Sequence, residues 1–146
     1  MPTYDDEVEI GDELDPLEKV ATDQSVIDFC EIWGNPGIGR FTDHDAAKAE
    51  GLPGAIVPGT MSIAYLANFL SLWAGGGSLR KLDVVFRQIV PHEQPLRLVG
   101  VVTDKNKIGS EEQVQCDVYL ENSDGERLVG GTATIVLPTR MAINAP

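Results

Sequence analysis

An α+β domain, one buried helix held against an antiparallel sheet, is what this sequence predicts, on three observations. Gly59 to Gly76 reads as a single helix that is apolar on nearly every side, with only Thr60, Ser62, Asn68 and Ser71 interrupting Met61, Ile63, Ala64, Tyr65, Leu66, Ala67, Phe69, Leu70, Leu72 and Trp73. Such a helix must be buried on all sides. Downstream, Val114, Cys116, Val118 and Leu120 alternate with Gln113, Gln115, Asp117 and Tyr119, the period of two of a strand with one wet face. Asn122-Ser123-Asp124-Gly125 then supplies hairpin chemistry, because Asp-Gly tolerates the positive φ that such turns require.

The elements follow in order. Val8 to Ile10 and Leu17 to Ala21 read as short extended pieces around a turn, Gly11 to Pro16. Thr22 can cap a helix carrying Val26, Phe29, Cys30 and Trp33 at helical spacing. Asn35-Pro36-Gly37-Ile38-Gly39 is a loop by composition, and Asp43 caps a short helix that stops at Gly51. Pro58 and Gly59 open the long apolar helix, and Gly75 to Gly77 close it. Four strands are expected over Leu79 to Gln88, Leu96 to Asp104, Glu111 to Glu121 and Arg127 to Leu137; their short turns imply an antiparallel meander.

Composition narrows the function classes. At 146 residues the chain reads as one domain, 1–146, with room for a sizeable core. Its 23 acidic against 11 basic residues, a net charge of −12, repel nucleic acid and anionic lipid, so neither is expected as a partner. No stretch reaches the roughly 20 residues of a membrane span. The first sixteen residues hold seven acids and no base, the reverse of a leader peptide, so a cytoplasmic location is expected. Cys30 and Cys116 are read as small core residues, because two isolated cysteines form neither a disulfide framework nor a zinc signature. No metal is expected. His92, in Pro91-His92-Glu93-Gln94-Pro95, is read as exposed loop.

Phe41-Thr42-Asp43-His44-Asp45-Ala46-Ala47-Lys48-Ala49-Glu50-Gly51, followed by Ile56-Val57-Pro58-Gly59-Thr60-Met61, resembles the MaoC-like family of (R)-specific enoyl-CoA hydratases and acyl dehydratases. Leu82-Asp83-Val84-Val85-Phe86-Arg87 with Ile89-Val90-Pro91, and the closing Val129 to Pro138, are similar to its later strands. The resemblance spans nearly the whole chain and implies a hot-dog fold: one antiparallel sheet wrapped around a long central helix. It also implies hydration of a trans-2-enoyl thioester or the reverse dehydration, with a coenzyme A thioester as substrate and no cofactor. A dimer of hot-dog chains, of one kind or two, goes with it.

The family's chemistry needs a base for water, an acid for the α-carbon, and donors for the thioester oxygen. The family supplies the first two from an Asp and a His in its Gly-Asp-x-Asn-Pro-x-His-x-Asp turn. With Gly51 as anchor, Phe41 stands at the His position; the Asp position falls on Asn35 if Gly34 is kept, or on Pro36 if the spacing to Phe41 is kept. The usual pair is therefore missing. His44, flanked by Asp43 and Asp45, is the nearest substitute, against its reading as a solvated residue of the first helical turn. Candidate catalytic positions are thus Asn35, Asp43 and His44. The donors are expected from the N–H groups of Gly59 and Thr60 at the helix start, with Met61, Tyr65 and Phe41 lining the acyl path. Arg80, Lys81 and Arg87 are candidates for the coenzyme A phosphates. Two rival readings accompany this one: a non-catalytic subunit beside a partner carrying the Asp/His pair, and a hot-dog acyl-CoA thioesterase using an acid or Asn on the central helix to activate water.

Overall fold

The computed structural model describes residues 3–139. Its elements are β1 (Leu17–Val20), α1 (Asp23–Trp33), α2 (His44–Ala49), α3 (Gly59–Ala74), β2 (Ser78–Phe86), β3 (Pro95–Ile108), β4 (Glu111–Glu121) and β5 (Arg127–Leu137). Both expected caps are made: Thr22 accepts from the Ser25 N–H at 3.1 Å, and Asp43 Oδ1 from the Ala46 N–H at 2.8 Å. Gly51, with φ of 90°, ends the α2 turn in a conformation that disfavours a side chain. Val8 to Ile10 form no strand; the chain makes a 3-10 turn at Asp5–Glu7, and Val8 is buried beside it.

All five strands pair antiparallel in the order β1-β3-β4-β5-β2. The meander holds for β3, β4 and β5, with Val114, Cys116, Val118 and Leu120 turned into the core as their alternation requires. It fails for β2, which pairs with β5 rather than with its successor β3. Residues 87–94 must therefore cross the end of the sheet, and that crossing passes the start of α3: Val57 N–H donates to the Val90 carbonyl at 2.7 Å, and Ile56 bridges Pro91.

The core lies between sheet and α3, which buries Met61, Ser62, Leu66, Phe69, Leu70 and Ala74 on one face. Burial on all sides is not what the chain achieves alone. Thr60, Ala64, Asn68 and Leu72, each four residues from the next, form an exposed stripe in which Leu72 is 63% accessible. One sheet covers one side of a helix, and nothing else among the described residues covers the other. Cys30 and Cys116 are core residues as expected; burial pushes the Cys30 thiol up and, with Asp117 nearby, the Cys116 thiol up to about 12, so neither offers a thiolate. No helix among the described residues is long and apolar enough to cross a membrane.

Candidate functional site

Two clefts meet at the segment preceding α3. The larger, about 560 Å³, is lined by Phe41, Ile56, Val57, Gly59, Ser62 and Phe86, with Arg40, Arg87 and Gln88 at its rim, a size suited to a small ligand. The smaller, about 350 Å³, shares Ile56, Gln88 and Ile89 with it and ends on His44 and His92.

The larger cleft opens on the N-terminus of α3. Pro58 is the N-cap, and its carbonyl accepts from the N–H groups of both Met61 and Ser62, at 3.0 and 3.1 Å. Gly59 and Thr60 precede the first intrahelical bond, and their N–H groups have no acceptor among the described residues. They form a small positive end able to hold an oxygen that gains charge. Gly59 has the expected lack of a side chain, but the vacancy is filled: a Cβ there would lie 3.0 Å from Cζ of Phe86. The ring, half-exposed at the end of β2, lies over the helix start.

Phe41 lines this cleft and is held by Trp33, ring centroids 6.1 Å apart and edge-on, which in turn packs on Phe29. An aromatic ladder thus fixes a side chain that cannot move a proton. Asn35 stands on the exposed loop after α1, where its N–H closes the helix on the Cys30 carbonyl at 2.8 Å, and it lines neither cleft. Asp43 is committed to the α2 cap. Met61 is core. Tyr65 points away from the Gly59 cleft, toward Lys19 and Ser25, and burial raises its hydroxyl pKa. The wall residue that sequence reasoning missed on α3 is Ser62; its side chain is fully buried and its Oγ has no hydrogen-bond partner.

The three basic candidates are not one cluster. Arg80 is paired to Glu111 at 2.6 Å and Lys81 lies 3.3 Å from Asp83. Arg87 lies at the rim of the larger cleft, roughly 20 Å further along the strand direction at about 3.3 Å per residue.

His92 is not exposed loop. Its side chain is 1% accessible, because the crossing that carries it folds under α1. Its Nδ1 lies 2.8 Å from Asp23 Oδ1 and its Nε2 3.0 Å from the Ile56 carbonyl. The ring thus bridges the Asp23 carboxylate and the Ile56 carbonyl, with a polar partner at each nitrogen. Hydrogen bonding by His92 and by His44, against the opposing effect of burial, holds the Asp23 carboxyl below its usual value. Glu93, in the left-handed region at φ 60°, accepts from the Asp23 N–H at 2.7 Å and donates its own N–H to the Ala21 carbonyl at 2.9 Å.

His44 completes the knot. The Ala55 N–H donates to its Nδ1 at 3.0 Å, so the proton sits on Nε2 and is given to Asp23 Oδ1 at 2.9 Å. Neither nitrogen is left for a substrate. The ligand atoms of Asp23, His44 and His92 fall within 4.8 Å of one another, a spacing a metal could bridge. The Ala55 N–H argues against it: a metal-ligating Nε2 requires the proton on Nδ1, where a second donor already points. The trio is a hydrogen-bonded clasp joining α1, α2, Ile56 and the Pro91 turn.

No protein-family model and no curated sequence matches the chain. Solved structures do. The (R)-hydratase from A. caviae involved in PHA biosynthesis superposes with a TM-score of 0.80 at 18% identity, covering 90% of this chain and 98% of that one. The MaoC-like dehydratase from Rhodospirillum rubrum gives 0.82 at 16%, covering 94% and 98%. The fold is the hot-dog fold of the MaoC-like proteins. A chain of the ChsH1-ChsH2 complex from Mycobacterium tuberculosis shares it too, with a TM-score of 0.78 at 16% identity over 89% of this chain and 98% of that one. The chain thus has the hot-dog fold that the resemblance of its short helix and helix start implied.

Proposed function

We propose that this chain binds an acyl-CoA thioester in the larger cleft and serves an enoyl-CoA hydratase or 3-hydroxyacyl dehydratase system of the cytoplasm without supplying the proton-transfer pair itself. The observation that carries the reading is the start of α3, where Gly59 lines a cleft with apolar side chains and the N–H groups of Gly59 and Thr60 have no acceptor among the described residues. A thioester oxygen that takes on negative charge as water adds to the β-carbon is stabilised there without reorganisation. Arg87 at the rim suits a phosphate of the coenzyme. No cofactor is needed for the addition of water to a polarised double bond.

The subunit form of this reading is favoured by Phe41 in the cleft wall and by the full commitment of both His44 nitrogens. A partner hot-dog chain with an intact Asp/His turn would bring the acid and base. Edge strand β2 supports such pairing: one side has no strand beside it among the described residues, and its last residues, Val85 and Phe86, are 56% and 51% accessible. That one similar structure is a complex, ChsH1-ChsH2, fits the same reading. A thioesterase would need its acid or Asn at the cleft; α3 has no Asp or Glu, and Asn68 is on the exposed stripe.

Titration of the purified chain with crotonyl-CoA, followed by hydration assays with and without a hot-dog partner bearing the Asp/His turn, tests the proposal. Binding with slow turnover alone is expected, with at least about a hundredfold gain on adding the partner, since each general acid or base contributes about 10² to 10⁴-fold. Absence of binding, or full speed from the chain alone, would overturn it.

A further inference from the structure

We infer that His92 is a positioning residue for the larger cleft: by holding the Ile56 carbonyl it sets where the start of α3, with its Gly59 and Thr60 N–H groups, stands. The inference rests on the acyl-thioester reading above and adds a residue outside that cleft that governs it.

Apart from the Ile56 bridge to Pro91, the approach to α3 over residues 52–58 belongs to no helix or strand. Such a segment is placed by whatever its backbone groups bond to. Its N–H groups are tied in turn: Ala55 donates to His44 Nδ1 at 3.0 Å, Ile56 to the Arg40 carbonyl at 3.0 Å and Val57 to the Val90 carbonyl at 2.7 Å. After Val57 these ties stop. Pro58 has no N–H, and those of Gly59 and Thr60 have no acceptor among the described residues. The Ile56–Val57 peptide is therefore the last one anchored by its N–H before the helical bonds begin at Met61.

That peptide is held at both ends by the crossing of residues 87–94. Its N–H meets the Val90 carbonyl, and its carbonyl lies 3.0 Å from His92 Nε2. The ring is fixed in turn, 1% accessible and with Nδ1 2.8 Å from Asp23 Oδ1 on α1. One buried side chain thus ties α1 to the cleft wall that Ile56 and Val57 form. Placement matters where the donors are backbone groups, since a misplacement of about 1 Å can cost on the order of a hundredfold.

The two nitrogens can be tested apart. An Asn amide at position 92 ends near the place of Nδ1 and keeps a donor for Asp23, whereas a Gln amide reaches the place of Nε2 and keeps one for the Ile56 carbonyl. A histidine that served stability alone would favour the Asn variant in every measurement, because the bond to the charged partner is the stronger one.

Urea unfolding, titration calorimetry with crotonyl-CoA and amide hydrogen exchange on the full chain, in wild type, His92→Asn and His92→Gln, test the inference. His92→Gln is expected to be the less stable variant and the better binder, so that stability and affinity rank the pair in opposite order. Affinity should fall about tenfold in His92→Asn and be rescued to within about threefold of wild type in His92→Gln. Exchange at the Val57 amide should be about tenfold faster in His92→Asn than in His92→Gln. Equal affinities in the two variants, or weaker binding by His92→Gln, would overturn the inference while leaving thioester binding intact. Wild type supplies a check that needs no variant: by linkage, saturation with crotonyl-CoA must slow exchange at Val57, and an unchanged rate would overturn the inference. Failure of wild type to bind crotonyl-CoA would overturn the functional reading and the inference with it.

Discussion

The two clefts use polar groups in opposite ways. In the smaller one, every hydrogen-bonding atom of the two histidine rings is satisfied: Asp23 accepts from both rings, Ile56 accepts from His92, and Ala55 donates to His44. In the larger one, the Gly59 and Thr60 N–H groups and the Ser62 hydroxyl are all left without partners among the described residues. Satisfied polar networks rigidify a structure, and each buried group left unsatisfied calls for an explanation. The residue types alone point the other way, since two histidines and an aspartate resemble catalytic equipment far more than a glycine and a serine do. What separates clasp from site is the accounting of protons and lone pairs.

Disabling the clasp should give the largest effect on stability. Asp23→Ala leaves the His92 Nδ1–H, on a 1% accessible side chain, with no carboxylate to receive it. A loss of about 1–3 kcal/mol is expected, with water reaching the half-exposed Asp23 position and tempering it. Urea denaturation would read this directly, and an unchanged midpoint would remove the clasp from the stability of the fold.

Binding at the other cleft should respond next. Gly59→Val adds a branched side chain whose Cβ alone would lie 3.0 Å from the Phe86 ring, so the ring is displaced toward the incoming thioester. Crotonyl-CoA affinity should fall about tenfold, equivalent to 1.4 kcal/mol. Equal affinity in a folded variant would move the thioester away from the helix start.

Acid sharpens the comparison further, because only the clasp contains a carboxylate with a shifted pKa. The folded-state value for Asp23 lies below the usual 3.8 of an aspartate, chiefly through the His92 hydrogen bond. Its contribution to stability is therefore complete above about pH 4 and is lost as pH falls through the folded-state value. The difference in urea midpoint between wild type and Asp23→Ala should hold steady from pH 6 to about pH 5 and shrink below about pH 4. A gap that instead widens in acid would reverse the assignment of charge.

The smallest effect is expected where the sequence suggests a large one. His44→Ala should change hydration by less than about threefold, whether the chain is assayed alone or with its partner, since neither ring nitrogen is available to substrate. A drop of about a hundredfold, the contribution of a working acid or base, would turn the clasp into the catalytic site.

Much of the fold was legible because it is written in local terms. The Thr22 and Asp43 caps, the Gly51 stop, the limits of α3 and the alternation of β4 each depend on neighbours within a few residues. That Asn35 and Phe41 depart from the spacing pattern of the resembled turn was equally visible, because a spacing pattern is read along the chain. The position of Gly59 at the head of a helix followed from Pro58 and the apolar run behind it.

The sequence by itself determined most of the elements and their caps. Tertiary structure alone decided which polar groups meet. Strand β2 pairs with β5 instead of β3, so residues 87–94 cross the sheet end and bring His92 within 2.8 Å of Asp23, 69 positions away. A turn rich in proline and glutamate carries no local mark of that burial. Phe86, the last residue of β2, comes to rest on Gly59 because β2 packs beside α3, and Ser62 Oγ is buried with no hydrogen-bond partner. Periodicity reports which face of an element is buried; it cannot report whether a buried donor or acceptor has found its partner, since that partner is supplied by the packing of distant segments.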